Sequence, residues 1–391
     1  MATFNLQQQA FTLSMVASAG DDDTGSPGVI ESELEFTIDE FLKDAEPLIG
    51  TWSLAWGPVV YESGSPVAAN AMFVAQGTDA GGNPAYVVAI AATNLRSHFD
   101  VITEDLDVTL TAWPSSWPAQ PPSTLQPNIT QGTIDGVDAL LDAVDPYSPG
   151  GTLQDFLSGA RSTSATLIFT GHSLGGALAP ALALALFGAP STGSLNPADW
   201  GAVYLYPTAG PTVGDQDYAS FWNSVFPPVT DSSQLQWNQL VWNTMDVVPH
   251  AWANITALDK IYSPQISTSG CLGIIIAGLV LEVLEAGGTF VQPNNISLPG
   301  TFSVWSGSSS SSPMIPYFLV ETLYQHVYAY FELLGVDELL TASPSYFPTV
   351  TDPTANPTAP PAVVALCTAL VKKAGSLCSG PSAGCGSSSA G

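Results

Sequence analysis

The stretch Thr-Leu-Ile-Phe-Thr-Gly-His-Ser-Leu-Gly-Gly-Ala-Leu-Ala, Thr166 to Ala179, leaves this chain few choices of fold. A β-branched, apolar run enters Gly171-His172-Ser173-Leu174-Gly175, and a run of small and apolar residues, 177–187, leaves it. That is strand, tight turn, helix. Glycines on both sides of the turn give the backbone room, and the turn holds one hydroxyl, that of Ser173, out at its apex. The N-terminus of the helix that follows stabilises negative charge developing beside that hydroxyl. The pattern G-x-S-x-G alone is weak, because Gly380-Pro381-Ser382-Ala383-Gly384 fits it too. That second match sits in a Gly/Ser tail with no strand before it and no helix after it, so context selects Ser173.

The rest of the chain supplies a setting for such a turn. Strand-like runs are expected at 52–61, 71–76, 86–92, 166–169, 202–206 and 240–243. Helical apolar spacing is expected at 38–49, 134–144, 153–161 and 316–334. Strands alternating with helices from about 70 to 335 predict an α/β fold with a mainly parallel central sheet flanked by helices. Residues 1–30 are polar and read as a loose N-terminal arm; its acidic run Asp21-Asp22-Asp23 is able to hold a cation weakly. Residues 31–340 read as the main domain, and 341–391, rich in Pro, Ser and Gly, as a C-terminal appendage.

Composition excludes several classes of function. Acidic residues outnumber basic ones 34 to 6, a formal charge of -28, and nucleic acid or an anionic membrane needs basic patches that so few cations cannot build. The charge serves solubility, or a saline habitat in which acidic surfaces are favoured. The longest apolar run, 271–281, is too short to span a bilayer, so no stable membrane insertion is expected. No basic n-region with an apolar core opens the chain, so no secretory signal is visible; a mature, extracellular form is the expectation. Of the four cysteines, Cys367, Cys378 and Cys385 lie in the tail at spacings that match no zinc pattern; the tail carries either one local disulfide or free thiols. The sequons at Asn128, Asn254 and Asn295 are short enough to arise by chance.

A serine nucleophile needs a base to take its proton and a third group to orient that base. Only four histidines are present. His172 precedes Ser173 in the turn, so its side chain points away from the hydroxyl. His98 comes before the serine, against the order nucleophile, acid, histidine that such turns carry. His250 and His326 remain. Asp246 directly follows an apolar strand, where an α/β sheet presents its reactive loops, and it cannot easily serve His250 four residues on across Pro249. Asp246 with His326 satisfies the order; His250 becomes a pocket-wall or structural residue. Asp215 and Asp231, the rival acids, lie in loops without a preceding strand, and the usual fate of an aspartate is the surface. Two backbone N–H donors must meet the developing oxyanion. Leu174, next after the nucleophile, is one. Thr93, just past the 86–92 strand, is the best placed for the other, and its hydroxyl can add a bond.

Together these residues resemble the class 3 lipase family, the fungal-type triacylglycerol lipases. Four motifs carry the resemblance in order: Ala91-Ala92-Thr93; Gly171 to Ala179; Gly210-Pro211-Thr212-Val213-Gly214-Asp215 with Tyr218-Ala219 and Phe221; and Asn243 with Asp246-Val247-Val248-Pro249-His250, then His326 with Tyr330-Phe331. The likeness runs from about 70 to 335. It implies an α/β-hydrolase fold, a triad of Ser173, Asp246 and His326, and Thr93 with Leu174 as the oxyanion hole. It implies a lipase that cleaves acylglycerol esters, with no metal or organic cofactor. Its partner is then a lipid or other small ester, met at an oil–water interface. Two departures stand out. The family's arginine and glycine before the oxyanion residue are both alanine here, so the arginine's structural pairing is gone, and the interval from Asp246 to His326 is long. That insertion, about 261–312, is expected to reshape the pocket mouth.

Other readings stay open at this stage. A short-chain esterase, a phospholipase or a polyester depolymerase shares the same turn, and a non-catalytic relative is a further alternative that an intact Ser, Asp and His in order argues against. The family's covering helix corresponds to 94–105, which is only modestly apolar. The run 271–284 is more apolar and either covers the pocket or forms a buried core helix. Trp113, Trp117, Trp252 and Trp305 line an acyl groove or, more ordinarily, pack.

Overall fold

Residues 3–21, 23–61, 67–94, 107–147, 151–188, 194–266, 271–303, 314–343 and 345–347 are described by a computed structural model. Seven strands form one sheet: β1 (Ser53–Tyr61), β2 (Asn70–Thr78), β3 (Pro84–Ile90), β4 (Thr166–His172), β5 (Ala202–Thr208), β6 (Leu240–Asn243) and β7 (Asn295–Leu298). They lie across the sheet in the order in which the chain makes them. Short connections make β1, β2 and β3 an antiparallel meander. From β3 to β7 every pairing is parallel, because each connection is long enough to cross over. The central strands read as nearly unbroken apolar runs, as strands covered on both faces must.

A sheet wound steadily in one direction by right-handed crossovers puts its crossover helices on one face. That face carries α3 (Gln131–Asp142), α4 (Leu153–Ala160), α5 (Leu174–Phe187) and α6 (Gln216–Val225). Val88, Ile90, Leu167, Phe169 and Leu205 of the sheet meet Val137, Leu140, Leu178, Leu182, Phe221 and Trp222 there. Every residue of α5 is buried. Trp113 and Trp117 belong to this core, so they pack, as the ordinary reading of those tryptophans expects.

The same winding leaves the other face bare, and the segments before β1 and after Leu333 cover it. Phe73, Val87, Ala89, Ile168, Tyr206 and Val241 face α1 (Leu6–Val16) and α2 (Pro27–Asp44), together with Leu339 and Phe347 near the far end. The expectation of a loose arm over 1–30 is therefore corrected. Residues 6–16 form a helix opened by a capping box of Asn5 and Gln8, with Ala10, Phe11, Leu13 and Val16 buried. The polar residues that suggested a loop are buried with it and find their own partners. Gln9 donates to the Phe4 carbonyl at 2.7 Å and accepts from Trp52 Nε1 at 3.2 Å. The hydroxyls of Thr12 and Ser14 donate back to carbonyls of their own helix at 2.8 and 2.7 Å. The helix expected at 38–49 starts earlier, at Pro27, with a proline where a first-turn N–H needs no partner. Phe11→Ala is expected to cost about 3–5 kcal/mol by denaturant unfolding, the cost of deleting a core aromatic; a loss under about 1 kcal/mol would mean that this face needs no cover.

A third cluster belongs to the long stretch between β6 and the last helices. α7 (Cys271–Glu285) leans through Ile276, Leu279, Val280 and Val283 on Trp252, Ile255, Tyr262 and Phe318. It is neither a buried core helix nor detached, since Leu281 and Leu284 stay 40% and 72% exposed. Among the described residues no helix is long and apolar enough to cross a membrane. Cys367, Cys378, Cys385, Trp305, His98 and most of the 94–105 segment lie outside the described residues, as does nearly all of the C-terminal appendage.

Candidate active site

β4 delivers the chain to Ser173, whose φ of 58° lies in the left-handed region that non-glycine residues seldom occupy. The surroundings hold this conformation. Ser173 N–H donates to the Thr208 carbonyl at the end of β5 at 3.0 Å. A Cβ on Gly175 would collide with the carbonyls of Ile90 and Ala91, and one on Gly176 with the carbonyl of Thr208. The start of α5 is thus wedged between the ends of β3 and β5, and only glycine permits that approach.

The last helices bring His326 to the serine. α8 (Met314–Leu323) and α9 (Ala329–Leu333) are joined by one π-turn, Tyr324–Tyr328, and His326 sits in it. His326 Nε2 lies 2.7 Å from Ser173 Oγ, and Nδ1 lies 2.8 Å from Asp246 Oδ2. Asp246 Oδ2 accepting at Nδ1 assigns the proton to Nδ1, which leaves Nε2 to accept from the serine hydroxyl. Asp246 is fully buried, and a buried carboxylate must be matched by donors. Besides His326 it accepts from the Tyr330 hydroxyl at 2.9 Å and from Val248 N–H at 3.0 Å. Tyr330 in turn accepts from Asn243 N–H at 2.9 Å. Burial, and then the Asp246 charge, hold the Tyr330 proton well above the ordinary tyrosine range, so it remains a donor.

A π-turn loosens the helical ladder, and side chains from the sheet take up its carbonyls. Asn243 Nδ2 donates to the Gln325 carbonyl at 2.9 Å and to Gln325 Oε1 at 2.8 Å. Gln325 Nε2 continues to Glu321 at 2.8 Å and to the Thr301 carbonyl at 2.7 Å. Glu321 is buried too, and it accepts from the backbone and hydroxyl of Ser303. His172 Nε2 donates to the His326 carbonyl at 2.6 Å, and its Nδ1 pairs with the Thr208 hydroxyl at 3.0 Å. The His172 ring, which points away from the Ser173 hydroxyl, therefore fixes the main chain of His326. Burial, then the neighbouring His326, push His172 well below the ordinary histidine range, against the opposing effect of its bond to the His326 carbonyl. A clue was available in retrospect: a histidine ending a central strand has to find polar partners inside the protein.

A testable pH effect follows from the direction of that shift. The unfolded chain binds a proton at His172 near pH 6.5, and the folded chain resists it to lower pH. Stability from this residue is therefore complete above about pH 6.5 and is lost as pH falls below it, by about 1.4 kcal/mol per unit until the folded-state value is reached. Chemical denaturation of wild type and His172→Gln between pH 7 and 5 is expected to show the steeper acid loss in wild type. Parallel slopes would refute it.

The two oxyanion candidates come from adjoining segments. Leu174 is the first residue of α5, where an amide has no helical acceptor. The Ala91 carbonyl touches Gly175, and Thr93 lies two residues further along, half-buried. The remaining candidates are held elsewhere. His250 pairs with Asn254 at 3.2 Å and stacks edge-on against Trp242. Asp215 caps α6 by accepting from Tyr218 N–H and also accepts from Asn128. Asp231 closes its own turn and accepts from Trp237 Nε1. Among the described residues no group of three or more His, Cys, Asp or Glu is arranged to hold a metal ion.

A sequentially ordered, mainly parallel sheet flanked by helices, with a serine at the sharp turn after a central strand and an acid and a histidine following in that order, is the architecture of an α/β-hydrolase. The family model "Lipase (class 3)" matches residues 87–255. Asp246 falls inside the match and His326 beyond it. Among solved structures the chain resembles M37 lipase at 24% identity, over 87% of this chain and 95% of that one, with a TM-score of 0.67. A lipase from Rhizopus microsporus var. chinensis is 18% identical over 64% of this chain and 71% of that one, with a TM-score of 0.39. A triacylglycerol lipase from Penicillium expansum is 14% identical over 75% and 78%, with a TM-score of 0.37. No curated protein matches the chain in sequence.

Proposed function

We propose that this protein is a serine carboxylic-ester hydrolase, a lipase that cleaves acylglycerol esters through an acyl-enzyme on Ser173. One observation carries the reading: in a chain that the class 3 lipase model matches over residues 87–255, an unbroken hydrogen-bonded line runs from Ser173 Oγ through both nitrogens of His326 to buried Asp246. Ser173 Oγ attacks the ester carbonyl as His326 Nε2 takes its proton. Asp246 holds the imidazole in the required tautomer and stabilises the imidazolium. The N–H groups of Leu174 and Thr93 receive the oxyanion. The tetrahedral intermediate collapses, and His326 gives its proton to the departing alcohol. Water then enters, loses a proton to His326, and attacks the acyl carbonyl; the acid leaves and Ser173 regains its proton.

The lipid ester in this reading is met at an oil–water interface, and the setting that suits such a substrate is extracellular. Hydrolysis of p-nitrophenyl esters from acetate to palmitate tests the substrate class. Activity extending to the long chains is expected. Activity confined to acetate and butyrate would replace lipase by short-chain esterase, and no hydrolysis of any ester across a range of salt would end the catalytic reading.

A further inference from the structure

The alanines that stand where class 3 lipases usually carry an arginine and a glycine leave a question: what holds the loop after β3? Four hydrogen bonds answer it. Ala91 N–H donates to the Ala71 carbonyl of β2 at 2.9 Å. Asn94, which is buried, donates through Nδ2 to the carbonyls of Ala68 at 2.8 Å and Asp21 at 3.1 Å. Ala92 N–H donates to the hydroxyl oxygen of Ser18 at 2.9 Å. Thr93 is thus bracketed by two residues tied to the turn that follows α1. The same N-terminal segment reaches the other parts of the site. Phe11 packs edge-on against His172 and Phe331, and Gln8 Nε2 donates to the carbonyls of Leu334 and Gly335 at the end of the histidine-bearing helix.

We propose that Ser18 is a positioning residue for the oxyanion loop: its hydroxyl fixes the Ala91–Ala92 peptide, the unit just before the one that carries the Thr93 N–H, and so constrains the aim of the Thr93 amide from a segment outside the β3–α5 unit. The proposal rests on the lipase reading above. Ser18 does not touch the reacting atoms. A backbone N–H needs an acceptor wherever it is buried, so the bond alone is also consistent with mere satisfaction of a polar group. The two roles differ in what they move. A satisfied amide contributes stability. An aimed amide contributes to the transition state, in which the carbonyl oxygen has become an oxyanion, far more than to the bound ester.

The test compares wild type, Ser18→Ala, Ser18→Thr and Ser14→Ala in ester hydrolysis, with amide hydrogen exchange of the 90–94 segment followed in each. Ser14, on α1 four residues before Ser18, is a control, because its hydroxyl donates to the Phe11 carbonyl of its own helix. Ser18→Ala is expected to lower kcat about tenfold, part of the ~10²–10³ that losing a whole oxyanion donor costs. KM and the pH profile, which report binding and the His326 couple, should stay, and exchange at 90–94 should rise. Ser18→Thr, which keeps the hydroxyl, should restore kcat, and Ser14→Ala should lower stability while leaving kcat unchanged. A kcat for Ser18→Ala within twofold of wild type, or exchange at 90–94 unchanged, overturns the proposal; so does an equal fall of kcat in Ser14→Ala. If Ser18→Ala fails to fold, Ser18→Cys, with a much weaker acceptor in the same place, must give the same two changes. A wild type inactive on every ester ends the lipase reading instead, and the exchange result then still decides whether Ser18 holds the loop.

Discussion

Ser173→Ala is expected to lower kcat/KM for esters by about 10⁴-fold or more, leaving only what the oxyanion donors and substrate binding supply on their own. The fold should survive the change. Ser173 gives its N–H to Thr208, and alanine keeps that bond. Alanine also occupies the same left-handed conformation at a cost similar to that of serine, and Gly175 and Gly176 still admit α5 between the strand ends. What disappears is one hydroxyl, 2.7 Å from His326 Nε2. Melting temperature should therefore move little while turnover collapses, and a fluorophosphonate should cease to label the protein. Ser382→Ala, at the second G-x-S-x-G, is the matching control and should change nothing. Ester hydrolysis that persists in Ser173→Ala and vanishes with some other serine would overturn the assignment of the nucleophile.

The parts of this molecule that the sequence announces are those whose cause is local. The turn at Ser173 shows because strand, glycines and helix follow one another directly, and the six strands read from β-branched runs all appear in the sheet. The order of acid and histidine shows because histidines are few. Where partners come from afar, the sequence is silent. α1 looks like an arm, since Gln9, Thr12 and Ser14 have the composition of a loop; only the bare second face of the sheet explains why it must be a buried helix. The helix that Asp215 caps begins at the next residue, but nothing near it in the chain reveals its other partner, Asn128, 87 residues away. The π-turn around His326 is held by His172 and Asn243, and no periodicity within 316–334 encodes it. β7 is four residues long and only half-buried, too short a run to stand out from its surroundings.

Asp246→Asn is the second large loss expected, about 10⁴-fold in kcat, of the size that converting a triad acid to its amide brings about. The geometry explains why so conservative a change should cost so much. Every neighbour of this carboxylate is a donor: His326 and Tyr330 on Oδ2, Val248 N–H on Oδ1. An amide has one acceptor and one donor end, so either orientation faces a donor with a donor. With its oxygen toward Val248, the NH₂ meets His326 Nδ1 and forces the proton to Nε2, which then points a hydrogen at Ser173 and can no longer act as a base. The NH₂ also meets the Tyr330 hydroxyl, whose oxygen already accepts from Asn243. With its oxygen toward His326, the tautomer is kept but Val248 N–H is left opposite an NH₂, and an unpaired buried donor costs about 1–3 kcal/mol. Loss of rate and loss of stability should therefore come together here, unlike in Ser173→Ala, where rate falls alone. Tyr330→Phe separates the contributions: it removes one donor from Asp246 without touching the tautomer, so a fall of about tenfold at most is expected, in line with one net hydrogen bond. Steady-state kinetics with denaturant unfolding on the three variants reads both quantities. Asp246→Asn with more than a tenth of wild-type turnover, or Asp215→Asn showing the larger loss, would mean that the acid has been misassigned, because neither outcome is compatible with His326 drawing its orientation from a carboxylate 2.8 Å away.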